Sequence, residues 1–352
     1  MSIARLCSAL ALAGALIAAV VVPQAAMADD ALSVIGGANA ASFFEVLNNV
    51  AQIAGFYARE HLVVTTQYAG SPNIAAQLCA SGKADICGQA IEPLYLGYQK
   101  GLRLQGFFAR DPQNDQILAV LDSSPIRTLA DFKGTTIGEF VVGSPGELYA
   151  NLMFAGAGLK RGDVTYVPIG SGVQAIQAIV TGKVAAVADP YPELASYEVA
   201  AHIKFRYFFN PLIRDIGNTA YAATPATIAS KGDLLKRFAR AQAMAAILIR
   251  ENPHLAARYF LQGAQIKITD ESLANETRLL ELDSDQLPGS NPLSMRIGAL
   301  PLSGMTLYSK YLYDQGYTSE LVPATDIVTN QFIDYANDFD HKAFIDEVKR
   351  MR

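Results

Sequence analysis

Histidine is scarce in this chain. Four occur in 352 residues, at His61, His202, His254 and His341. They are dispersed, with no His-Glu-x-x-His run or comparable cluster, which argues against a metallohydrolase centre. Cysteine is scarcer still: Cys7, Cys79 and Cys87. Three cysteines in a chain of this length exclude a disulfide-built scaffold. Runs of basic residues are missing, and the formal net charge of −5 leaves nothing to track a phosphate backbone, so nucleic acid is excluded as a partner. Neither Gly143-Ser144-Pro145 nor Gly170-Ser171-Gly172 forms a nucleophile elbow. Gly82-Lys83 and Gly182-Lys183 each lack the glycine loop of a nucleotide-binding P-loop, and read instead as turns closing helices through left-handed glycines. No catalytic residue, metal or cofactor is expected.

What is present begins with a leader. Arg5, the apolar run Leu6 to Val22, and Ala26-Met27-Ala28 make a cleavable secretory signal over residues 1–28. The mature protein is then expected outside the cytoplasm, in the periplasm. Its charge becomes −6 once Arg5 is removed. In an oxidising compartment Cys79 and Cys87 are permitted to bridge, but the sequence does not set their separation, and two buried free thiols are the preferred reading.

A segment then repeats at an offset of 100 residues. Gly70-Ser71, an apolar stretch and Ser81-Gly82-Lys83 recur as Gly170-Ser171, Ala175 to Gln177 and Thr181-Gly182-Lys183. Each copy reads as a loop, a helix, a glycine turn and a short strand. Matching α/β units predict two similar lobes, and two lobes make a cleft for a small ligand. The first lobe is assigned residues 29–115 and 220–352, with C-terminal helices packed outside the sheets, and the second residues 116–219. Ser42 to Arg59 reads as one helix, Leu102 to Phe108 as a strand, and Arg110 to Asp115 as the polar approach to the crossing.

Candidate ligand contacts lie where strands run into helices, because first-turn amides lack partners inside the helix and attract anions. Gly143, Ser144 and Pro145 form the strongest such mouth, with plain helix capping as the alternative. Ser71, and Gln174 beside Gly170-Ser171-Gly172, occupy equivalent places. Asn39 can donate an amide hydrogen bond and Phe43 a packing surface. Gln89, Glu92, Asp189 and Tyr191 follow strand ends. Acidic Glu92 and Asp189 would oppose a fully anionic ligand unless they turn away.

These features resemble the periplasmic substrate-binding proteins of ABC importers, in the branch that takes sulfonates, taurine, nitrate and thiamine-pyrimidine precursors. The resemblance rests on Gly55-Phe56-Tyr57-Ala58-Arg59-Glu60, Leu78 to Ile86, Ser124 to Gly134, and Gly143-Ser144-Pro145 followed by Gly158-Leu159 and Asp163-Val164. It implies a type II periplasmic-binding fold, an α/β architecture with two similar lobes around a ligand cleft. It also implies closure on a small organic solute, a sulfonate or an aromatic or heteroaromatic carboxylate. Delivery by a monomer to a membrane permease with its ATPase would follow. Members of that family bind through positions matching Asn39, Phe43 and residues 143–145. The competing expectations are a binder or biosynthetic protein for a thiamine pyrimidine precursor, and a sensory module without transport.

Overall fold

The computed structural model describes residues 30–37, 45–111, 113–209, 216–285 and 296–352. The expected leader at residues 1–28, Asn39 and Phe43 lie outside them.

Two five-stranded sheets carry the fold. The first contains β1 (Asp30–Gly36), β2 (Leu62–Tyr68), β3 (Ile86–Ala90), β4 (Gln105–Asp111) and β10 (Thr219–Ala223), in the order β2-β1-β3-β10-β4. The second contains β5 (Gln116–Leu121), β6 (Thr136–Glu139), β7 (Thr165–Pro168), β8 (Ala186–Pro190) and β9 (Phe205–Phe208), in the order β7-β6-β8-β5-β9. One strand in each sheet is antiparallel to its neighbours: β10 against β3 and β4, and β5 against β8 and β9. Each is the strand with which the chain enters that sheet from the other. The repeat at 100 residues is thus a repeat of topology, with β2, the helix Pro72–Ala80 and β3 answered by β7, the helix Val173–Val180 and β8.

Local sequence explains the helices between them. Pro72 opens α3 (Pro72–Ala80) and Pro145 opens α5 (Pro145–Gly156), where a missing amide costs nothing. The predicted helix at 42–59 is cut in two. Gly55, at φ +76°, separates α1 (Val46–Ile53) from α2 (Phe56–Arg59). The strand expected at 102–108 lies three residues later, so Arg110 belongs to β4 rather than to a turn. α6 (Val173–Val180) closes the second repeat, and α4 (Glu92–Tyr98) and α7 (Tyr191–Ala201) each follow directly on a strand.

Among the described residues, eight helices follow β10: α8 (Pro225–Ser230), α9 (Gly232–Glu251), α10 (Pro253–Gly263), α11 (Asp270–Asp285), α12 (Leu302–Asp314), α13 (Ala324–Ile327), α14 (Ile333–Asn337) and α15 (His341–Val348). α9 buries Leu235, Phe238, Ala241, Ala245 and Leu248 against the first sheet, the amphipathic face its sequence predicts. The C-terminal helices do more than cover one lobe. α11 packs against α7, and α12 carries Met305, Tyr308 and Leu312 into a core shared by both sheets. Cys79 and Cys87 are free and fully buried, both within reach of the carbonyl of Ala222.

Candidate functional site

The strand order brings the carboxyl ends of both sheets to the crossing segments. Asp111 ends β4, Asp115 precedes β5, and Asp189 nears the end of β8. These three interact electrostatically in sequence, and Asn218 donates to Asp115 at 2.8 Å. Thr219 hydrogen-bonds Asp111. Ligands of open α/β sheets bind at such an edge, so the candidate site is the group of residues on it.

On the first sheet the edge is built from glycine and aromatic residues. The amide of Gly37 donates to the carbonyl of Gly88 at 2.8 Å, which holds the end of β1 against β3. A side chain at Gly88 would lie 3.1 Å from the ring of Tyr221, so glycine lets the phenol pack down on β3. The guanidinium of Arg110 lies 5.5 Å from the centre of that ring. Tyr221 is fully buried, and its hydroxyl has no hydrogen-bond partner among the described residues. Burial pushes its pKa far up, opposed by Arg110, so it is a neutral donor. Glu45 packs its carboxyl beneath Gly36, and Tyr68 stands nearby at the end of β2.

On the second sheet, close packing sets the geometry. Gly146 in the first turn of α5 lies directly on the carbonyl of Ala188 in β8. This places the mouth of α5 beside Glu139 and Asp189. The amide and hydroxyl of Ser144 both donate to Glu139, at 3.3 and 3.0 Å. Ser144 caps nothing with its side chain and is only 6% exposed. The hydroxyl expected to contact ligand donates here to the chain's own carboxyl, the kind of partner that unpaired helical amides attract. Pro145 sits in the first turn as expected, and Gly143 takes φ +73° and is exposed.

Four carboxyls on this edge are pushed towards their neutral forms. Asp189 is buried and accepts from Tyr197 at 3.2 Å; burial, then Glu193, raises its pKa well above the usual range. Asp115 is raised to about 8 by burial and by Asp111. Burial also raises Glu139 and Glu193. A carboxyl that stays protonated is a hydrogen-bond donor, and it does not repel an anion.

The other expected contacts divide. Ser71 is half-buried ahead of α3, and Gln174 is exposed with its side chain over Gly170. Tyr191 is half-buried and packs edge-to-face on Tyr207 at 5.5 Å, while its amide is held by the Asp115 carbonyl. Gln89 is the last residue but one of β3, and its side chain is outside the described set. Glu92 is a correction: it faces a buried cluster of Tyr149 and Tyr308 instead of the edge. Arg110, Tyr221 and Glu139 escaped the sequence reading. Arg110 was hidden by its polar neighbours, although extending the β4 alternation by three residues would have placed it at a strand end. Among the described residues, no three His, Cys, Asp or Glu side chains are grouped to hold a metal.

Residues 48–256, more than half of the chain, match the family model described as NMT1/THI5 like. The chain belongs to that family. A Haemophilus influenzae protein named for thiamine biosynthesis is 31% identical over 140 residues, which are 39% of this chain and 43% of that one. The chain thus spans less than half the length of this curated relative. A solved structure from Bordetella bronchiseptica RB50 superposes with TM-score 0.67 at 19% identity, over 88% of this chain and 97% of that one. The periplasmic aliphatic sulphonate binding protein SsuA of Escherichia coli gives 0.65 at 16% identity, over 85% and 92%. The fold is therefore the two-lobed α/β periplasmic-binding fold of type II.

Proposed function

We propose that this protein is the extracytoplasmic solute-binding component of an ABC importer, and that it takes a small organic acid. The observation that carries the ligand class is the buried Tyr221 hydroxyl, without a hydrogen-bond partner among the described residues, beneath the Arg110 guanidinium at the edge of the first sheet. A buried polar group left unsatisfied costs about 1–3 kcal/mol, and an oxygen-rich ligand group would relieve it. Arginine and a phenol together suit a carboxylate or sulfonate. Of the two acidic residues that spoke against an anion, Glu92 packs against Tyr308, and burial shifts Asp189 towards its neutral form.

Family membership, and the likeness to a protein whose name states sulphonate binding, support the same reading. In it, the leader directs the chain to the periplasm, and the loaded form hands its solute to a permease driven by an ATPase. Binding without turnover is supported by the buried thiols: burial raises the Cys87 pKa, the reverse of what a cysteine nucleophile needs.

A thermal-shift screen of alkanesulfonates, aromatic carboxylates and pyrimidines tests this, because a ligand that binds only the folded state raises the melting temperature. Acid-bearing compounds should lead. Arg110→Ala and Tyr221→Phe should each weaken the best of them, Tyr221→Phe by about 0.5–1.5 kcal/mol. A sugar or a metal ion as the sole stabiliser would overturn the ligand class, and chemical turnover of the bound acid would overturn the binder.

A further inference from the structure

Glu92 opens α4 on the first lobe, yet its carboxyl is sealed among elements of both lobes. The residue is 5% exposed. Oε1 accepts from the Tyr308 hydroxyl of α12 at 3.4 Å, and Oε2 has no hydrogen-bond partner among the described residues. Tyr149 of α5 stacks on Tyr308, with ring centres 5.3 Å apart and planes 10° from parallel. Tyr95, one turn along α4, meets Tyr308 edge-on at 5.3 Å and donates to the Met305 carbonyl at 2.5 Å. Tyr311 continues the stack at 6.3 Å and donates to the Leu148 carbonyl in α5 at 3.4 Å. Asn151 of α5 donates to Tyr317 just beyond α12. A seam of tyrosines therefore runs from α4 of the first lobe through α12 to α5 of the second, with one carboxyl inside it.

We propose that Glu92 is a proton-operated latch: its carboxyl must be neutral for α4, α5 and α12 to stay locked, and its ionisation loosens the seam between the lobes. An ionised carboxylate buried in this way needs a cation or full hydrogen bonding, and no cationic group acts on it among the described residues. The groups that act on it are its own amide and the hydroxyls of Tyr149 and Tyr308, with Tyr95 beside it and Tyr311 behind Tyr308. None is cationic. Burial outweighs what these groups contribute and lifts the carboxyl to about 7. Between its ordinary pKa and this value, the locked form holds a proton that the loosened form releases. The locked-to-loosened ratio thus falls with rising pH, by at most tenfold per unit. α5 begins at the ligand edge, so loosening it shifts that edge. The inference does not depend on which solute binds, or on whether any does.

The mature, ligand-free protein tests it between pH 5.5 and 8.5, by small-angle scattering and near-ultraviolet circular dichroism. The chain has 16 tyrosines and no tryptophan, so the dichroic signal reports tyrosine packing. The wild type should lose tyrosine signal and gain radius in a single-proton transition that lies below about pH 7 and levels off above it. Glu92→Gln should stay compact across the range. Tyr308→Phe removes a bond to the carboxylate and should move the midpoint upwards. Asp115→Asn and Glu276→Gln should leave the transition in place, although both groups are raised into the same range, to about 8 and about 7. A flat wild-type profile, an unaltered transition in Glu92→Gln, or its loss in Asp115→Asn would overturn the latch. Should Glu92→Gln fail to fold, an unmoved midpoint in Tyr308→Phe would overturn it equally.

Discussion

Gly146→Ala sets two effects of opposite sign against each other. Glycine is a poor helix former, and alanine in a helix interior gains about 1 kcal/mol, less in a first turn such as this. Propensity alone therefore predicts a more stable protein. Packing predicts the reverse. A methyl at this position would sit 2.5 Å from the carbonyl oxygen of Ala188 and 3.0 Å from its carbon. Ala188 cannot retreat, because β8 is held there on both sides, opposite Leu118 of β5 and Glu139 of β6. The start of α5 must lift by several tenths of an ångström instead. Overpacking of this kind costs about 1–3 kcal/mol, so the variant should be destabilised by about 1 kcal/mol net. The lift also pulls Ser144 from Glu139, so the best acidic ligand should bind more weakly than the stability loss alone explains. Urea denaturation followed by far-ultraviolet dichroism measures the first effect, and calorimetry on the folded variant the second. A variant more stable than wild type, with unchanged affinity, would refute the claim that this contact positions the edge.

Other outcomes follow from buried groups. Glu92 and Glu276 are raised to about 7 and Asp115 to about 8, so folding stability should fall as pH rises from about 4.5 to 8. Glu92 alone is worth on the order of 3 kcal/mol across that window, and a urea midpoint that climbs steadily from pH 5 to 8 would contradict this. Asp85 behaves oppositely: burial raises its pKa, but bonds from Lys231 at 2.6 Å and from Ser33 at 2.9 and 3.0 Å prevail and lower it. Its contribution should be present at neutral pH and vanish as pH falls through that lowered value, with Asp85→Asn costing about 1–3 kcal/mol at pH 7. Cys79 and Cys87 should resist alkylation in the native state and both react in denaturant; rapid native labelling would show that the core around Ala222 opens.

Much of the fold was legible because glycine and proline report on backbone geometry directly. Gly82, Gly158 and Gly182 all take the left-handed conformation at helix ends that their positions imply, at φ +75°, +81° and +72°. The repeat was legible for a related reason: two similar packing problems were solved with the same turn residues. Gly55 shows the limit. The apolar stripe runs straight through it, and only the positive φ reveals the break between α1 and α2. Periodicity says which face is buried, but it does not say whether the backbone is continuous.

The site was less legible because side-chain partners are chosen across the sequence. Ser144 reads as an open anion mouth until Glu139, five residues earlier and one strand away, is seen to fill it. Glu92 reads as a cleft acid until Tyr308, 216 residues later, folds over it. In both places a side chain that a linear reading turns towards ligand is taken up inside the protein, Ser144 at a helix mouth and Glu92 in an aromatic seam. The C-terminal third makes the second possible. Read along the chain it is a set of amphipathic helices, one layer on one lobe. In space α12 touches the core of both. Two lobes joined only by crossing strands would move freely about them; two lobes also joined by α12 must break or slide the tyrosine seam to move. The conformational balance of this protein is therefore set away from the ligand edge as well as at it.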